Sequence, residues 1–126
     1  MKNGIYVYGV IKTSATQKFG KIGIGDKNSQ VLTIGSKDLA AVVSNSPFMV
    51  YDSLAKEKTI KDLVTHQFVI EKVMADFTII PAKFGTMVET EDEVIKFMEK
   101  GYFVLKNALR KMEDKIELDL VASWKL

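Results

Sequence analysis

Few residues of this chain could carry chemistry. They are a single histidine, His66, a carboxylate at Glu71, and a glycine-rich run, Gly20-Lys21-Ile22-Gly23-Ile24-Gly25. General acid–base work needs a base held by an orienting group, and the sequence shows no such arrangement around His66. One imidazole, without cysteine or an HExxH pair, also falls short of a zinc ligand set. His66 is therefore expected as a half-buried imidazole bonded to the backbone, neither catalytic nor metal-binding. Glu71 raises a sharper question. It shares a helix side with Ile60, Leu63, Val64, Ile70 and Met74, and Gln67 lies one turn before it. A carboxylate buried there could be a general acid with a raised pKa. It could also pin its helix to the Pro81–Thr86 segment through Lys83, a tyrosine hydroxyl or a backbone N–H. No nucleophile or ligand set accompanies it, so the pin is the expectation. The glycine-rich run lacks the Walker spacing, and no helix starts after it to hold a phosphate. It reads as a hairpin or an irregular connection.

Composition narrows the field further. The chain has 126 residues, 47% of them apolar and 27% charged, which suits one soluble globular domain with a proper core. Without cysteine there are no disulfides and no thiolate sites, consistent with a reducing cytoplasm. The net charge of +2 arises from 18 basic and 16 acidic residues, and no Lys/Arg cluster of the kind that grips nucleic acid is present. No signal peptide and no membrane span are visible. The sequence implies no cofactor.

The elements that must position these residues follow from periodicity. Ile5–Ile11 reads as a central strand, with Ile5, Val7, Gly9 and Ile11 on one side and Tyr6, Tyr8 and Val10 on the other. Val31–Ile34 and Leu39–Ser44 form a hairpin around Gly35-Ser36-Lys37-Asp38. A helix capped by Asp52 or Ser53 runs to about Asp76, its solvent face carrying Lys61, Asp62, Thr65, Lys72 and Asp76. Val69 also falls on the polar side. Phe77–Pro81 follows as a strand, stopped by Pro81, and Gly85 permits a turn after it. Thr90-Glu91-Asp92-Glu93 is a capping box opening a second helix, whose apolar stripe runs through Val94, Met98, Gly101, Leu105, Leu109 and Met112. Gly101, on that stripe, marks a close contact or a bend. Ile116 to Lys125 alternates as a last strand with one buried face. The order β-β-β-α-β-α-β predicts a ferredoxin-like sandwich variant, mainly antiparallel, with two helices on one face. The apolar stretch Phe48, Met49, Val50, Tyr51 lies in a loop, either tucked under the helix or presented to a partner.

Five pieces in order resemble the GvpF/GvpL family of gas vesicle proteins, specifically its N-terminal domain. They are Ile5-Tyr6-Val7-Tyr8-Gly9-Val10, then Asp38-Leu39-Ala40-Ala41-Val42-Val43-Ser44, and His66 with Glu71 in an H-x-x-V-I-E pattern. Ile80-Pro81-Ala82-Lys83-Phe84-Gly85-Thr86 and the ending Lys115-Ile116-Glu117-Leu118 through Trp124 complete the set. Family members often carry arginine at the position of Lys83, so a bidentate guanidinium contact is not carried over. They also continue into a second domain that this chain does not contain. The resemblance implies a non-enzymatic accessory or minor structural protein of gas vesicle assembly. Its expected partners are the hydrophobic shell protein or sister accessory proteins, and its expected place is the cytoplasm, at the vesicle. In this reading His66, Glu71, Pro81, Lys83, Phe84, Gly85 and Thr86 are structural motif residues, and Phe48, Met49 and Tyr51 are candidates for partner binding. Two rival readings are a small-ligand-binding or regulatory ferredoxin-like domain and an enzyme using His66 and Glu71.

Overall fold

The computed structural model describes residues 3–25, 29–48 and 56–124, with side chains as far as residue 113. A strand apolar on both faces belongs in the middle of a sheet, and β1 (Asn3–Lys12) lies there. β2 (Lys18–Gly20), β3 (Val31–Ser36) and β4 (Leu39–Pro47) lie to one side of it, with β4 its direct neighbour. Along its other side pair β5 (Ile79–Pro81), opposite Gly9–Ile11, and β6 (Met87–Val88), opposite Ile5 and Tyr6. Every pairing is antiparallel. β2 is too short for alternation to reveal it. The β3–β4 hairpin turns through Lys37, at φ 58°, and Asp38. Asp38 accepts a hydrogen bond from the Tyr102 hydroxyl at 2.5 Å and pairs with Lys106 at 2.9 Å, tying the hairpin to the last helix.

The side-chain alternation of β1 does not run through unbroken. Val7 pairs with Val43 and Gly9 with Val42, so one extra residue is accommodated between them as a bulge. Beyond it the parity inverts. Ile11 joins Tyr6 and Tyr8 in one core, and Val10 joins Ile5 in the other, whereas strict alternation placed Ile11 with Ile5.

Both sheet faces are apolar, so both are covered, and the helices divide between them instead of sharing one side. α1 (Lys56–Met74) packs on the face of Tyr6, Tyr8, Ala40 and Val42. α2 (Glu91–Lys100) and α3 (Tyr102–Trp124) supply Val94, Met98 and Leu109 to the opposite face, against Ile34, Ala41 and Val43. The N-cap forms, with Glu93 N–H donating to Thr90 Oγ1 at 3.3 Å, while Glu93 Oε2 reaches one residue past the usual capping-box partner to accept from Glu89 N–H at 3.2 Å. Gly101 breaks α2 from α3 with φ −97° and ψ 12°, which is the expected bend. The proposed caps Asp52 and Ser53 lie outside the described residues.

Two further expectations fail. The final strand is absent, because backbone 116–124 continues α3 as helix. No glycine or proline interrupts 102–126, and Ile116, Leu120 and Trp124 also recur every fourth residue, so the apolar pattern fits a helix as well as a strand. The rotation of α1 is the second. Its buried residues are Asp62, His66, Val69, Ile70 and Val73, while Ile60, Val64, Gln67 and Glu71 face solvent. Asp62 and Val69, assigned to the wet side, face the core. A helix apolar on two sides permits two rotations. The one adopted gives the buried tyrosines of β1 a polar partner, which the other would not.

Candidate functional site

The site is a polar cluster between β1, α1 and the loop joining β5 to β6. Tyr6 and Tyr8 stand two apart on one face of β1, both fully buried, with ring centroids 4.8 Å apart. A buried phenol needs a partner for its hydroxyl. Tyr6 Oη lies 2.8 Å from His66 Nδ1 and accepts from Gly85 N–H at 2.9 Å. Tyr8 Oη lies 2.8 Å from Ser44 Oγ and accepts from Ile24 N–H at 2.9 Å. The His66 ring also bonds the Ala82 backbone. A carbonyl can only accept, so the imidazole turns an N–H toward Ala82 and takes the Tyr6 proton on Nδ1. This assigns the neutral Nε2–H tautomer from the network.

Electrostatics agree with that assignment. Burial lowers the His66 pKa from its ordinary 6.5, partly opposed by the Ala82 bond. Burial pushes Tyr6 up to about 12, against the bond from Gly85, with the Tyr8 and Asp62 charges adding to the rise. Tyr8 is raised for the same leading reason. At neutral pH the cluster is therefore two phenols and one neutral imidazole, with the Asp62 carboxylate nearby.

The loop is held on three sides. Ala82 N–H donates to Tyr8 O and Val7 N–H to Thr86 O, each at 2.9 Å, so both loop ends hang from β1. Between them Lys83 O accepts from Thr86 N–H at 3.1 Å and from its hydroxyl at 2.6 Å, closing a turn with Gly85 at φ 89°. Positive φ at the third turn position is the type II requirement for glycine. Phe84 packs edge-on against His66, centroids 5.6 Å apart. His66, Phe84 and Gly85 thus meet around Tyr6, while Pro81 and Thr86 stand at the two ends of the loop and line a cavity on the other sheet face. Glu71 and Lys83 do not join them: both are exposed, so Glu71 is no buried pin. The histidine five residues earlier, on the inward side, does that work.

Four participants were missed from sequence, namely Tyr6, Tyr8, Ser44 and Asp62. The usable signal was two tyrosines at i and i+2 on a doubly apolar strand, facing a helix with Asp62, His66, Val69 and Val73 at i, i+4, i+7 and i+11. The glycine-rich run is turned inward, with Gly23 N–H on Ser29 O at 2.8 Å and Ile24 N–H on Tyr8. Those amides are not free to hold a phosphate. Among the described residues no three of His, Cys, Asp or Glu gather as around a metal ion, and no helix is long and apolar enough to cross a membrane. Phe48 is half-exposed, and its ring occupies the space that a Cβ on Gly4 would take. Met49 and Tyr51 lie outside the described residues.

The model of the gas vesicle synthesis protein GvpL/GvpF family matches residues 4–126. The chain belongs to that family. It is 31% identical over 121 residues to gas vesicle protein F of Streptomyces sp. (strain CB03234), covering 94% of this chain and 48% of that one. The same fold appears in crystal structures of GvpF from Anabaena sp. PCC7120 and Microcystis aeruginosa, each at a TM-score of 0.62 with 20% and 19% identity. Those alignments cover 87% and 86% of this chain and 43% of each GvpF chain. The chain therefore spans about half the length of the GvpL/GvpF relatives it matches. The five motif pieces read from sequence belong to the matched range, and the α+β class is that of the GvpF structures.

Proposed function

We propose that this chain works without catalysis, as an accessory or minor structural protein of gas vesicle assembly at the vesicle in the cytoplasm, equivalent to the first domain of GvpL/GvpF. In this reading it binds the hydrophobic shell protein, or a sister accessory protein, and keeps it competent for assembly. The observation that carries the reading is the family match across residues 4–126. The buried cluster supports it, because His66 is neutral, enclosed and fully engaged in hydrogen bonds to Tyr6 and Ala82, which is the environment of a structural lock. Tyr6, His66, Phe84 and Gly85 then shape the domain, and its apolar surface does the binding. Phe48 with Met49 and Tyr51 is one candidate surface, and the short β5 edge is another.

Co-expression with the shell protein, followed by pull-down at two salt concentrations, tests this. Capture that persists at the higher salt is expected, since apolar contact is little screened. Replacing Phe48 and Tyr51 by serine should weaken capture while leaving the fold intact. A folded chain that captures neither the shell protein nor an accessory protein at either salt overturns the proposal.

A further inference from the structure

On the sheet face opposite the tyrosine cluster, a partly enclosed cavity of about 170 Å³ opens between the sheet, α2 and α3. Val7, Val10 and Ala41 form its floor, Val94 and Leu105 its walls, and Phe97 its mouth. Its origin is local. Ala41 contributes only a methyl group, and the bulge in β1 sets Val7 and Val10, three residues apart, on the same face.

The cavity exposes only apolar atoms. Nothing in it can orient the polar groups of a metabolite or bind an ion, so only a hydrocarbon group gains by entering. An apolar cavity of about 150 Å³ stays dry and accommodates one benzene ring, which sets the occupant's size at a leucine to phenylalanine side chain. The apolar surface also continues outside the cavity. Phe97 is 61% exposed and Val104, seven residues on, is 74% exposed. The i→i−4 bonds Gly101 N–H to Phe97 O and Leu105 N–H to Gly101 O flank the bend at Gly101, across which these two exposed residues follow one another. A ring-sized free molecule would leave that surface wet, whereas a protein segment would cover it. Charge adds a direction. Glu91, Asp92 and Glu93 are exposed at the N-terminal end of α2, one turn before Val94 and Phe97, and Lys100 lies at the other end.

We propose that this cavity is the anchor site for an apolar protein segment, which inserts one leucine- to phenylalanine-sized side chain between Ala41 and Phe97 and places a lysine or arginine beside the first turn of α2. The inference rests on the reading that this chain binds apolar protein partners, and it locates that binding. Affinity comes from the anchor, while the carboxylates favour one partner orientation and faster encounter.

The test is methyl NMR of the whole chain, titrated with three probes: a soluble peptide with a Leu-Phe centre flanked by lysines, the same peptide flanked by glutamates, and toluene. The expected result is shifts of the Val10, Val94 and Leu105 methyls with the lysine-flanked peptide, and weaker binding of the glutamate-flanked one at low salt. Phe97→Ser, at an exposed position, should weaken the peptide about tenfold or more, and Ala41→Leu should abolish the shifts by filling the cavity. If Ala41→Leu does not fold, the Phe97→Ser comparison still decides. Shifts with toluene alone mean a small-molecule cavity and overturn the proposal, as does silence from all three probes. Peptide shifts confined to other methyls, or shell-protein capture unaffected by Phe97→Ser, would overturn this site and leave the partner-binding reading standing.

Discussion

The hydroxyl of Tyr6 bridges His66 Nδ1, at 2.8 Å, and the Gly85 N–H, at 2.9 Å, so one oxygen on the central strand joins α1 to the loop between β5 and β6. Removing that oxygen leaves the buried His66 Nδ1 and the part-buried Gly85 N–H without this partner. Tyr6→Phe should cost about 1–3 kcal/mol, a fall in Tm of roughly 4–12 °C, seen by thermal or urea unfolding. An unchanged Tm would mean that the bridge contributes nothing.

His66 gives stability a pH dependence of known sign. Its folded pKa lies below the ordinary 6.5, so below that pH the unfolded chain binds a proton that the folded chain refuses. The contribution is complete above about 6.5 and declines as pH falls beneath it. Unfolding free energies between pH 7.5 and 5.5 should show this slope, and His66→Gln should flatten it.

At the alkaline end Tyr6 acts in the opposite direction. Its pKa of about 12 exceeds the unfolded value of 10, so stability is intact below 10 and is lost as pH rises toward 12. Absorbance titration of phenolate should show Tyr6 ionising late in the parent, together with unfolding. In Tyr6→Phe the late step should shrink by one phenol, leaving that of Tyr8, which burial also raises.

Gly85 turns at φ 89°, a conformation that costs an L-residue roughly 1–2 kcal/mol. Gly85→Ala should destabilise by that amount and raise the exchange rate of the Gly85–Thr86 amides in hydrogen-exchange experiments.

Glu71 is exposed, so Glu71→Ala should change stability by no more than about 0.5 kcal/mol. A loss of several kcal/mol in urea unfolding would restore the buried pin.

Several elements were legible because each had a local signature with one solution. The capping box at Thr90 announces α2, the hairpin residues announce the β3–β4 turn, and the doubly apolar run announces β1. Glu71 and the last strand misled for a shared reason. Their apolar patterns fit two geometries equally, and only tertiary partners decide between them. Gln67 and Glu71 lie within an apolar stripe, and that stripe is real, but apart from Ile70 it faces out. The partners that settled the rotation are hydroxyls some sixty residues earlier in the chain. The lock followed from no short-range spacing, since Tyr6, His66 and Gly85 meet only when β1 is central. The β1 bulge was hidden from plain alternation, although Gly9 inside the strand is the residue type that often marks one.

That bulge makes β1 intolerant of changes in length. Loops usually absorb a lost or gained residue at small cost, but between Val7 and Gly9 a single deletion would restore plain alternation. Ile11 would then exchange faces with Val10, or Tyr6 and Tyr8 would turn away from His66, and either outcome disturbs both cores at once. The strand works as a ruler whose length is part of its specificity.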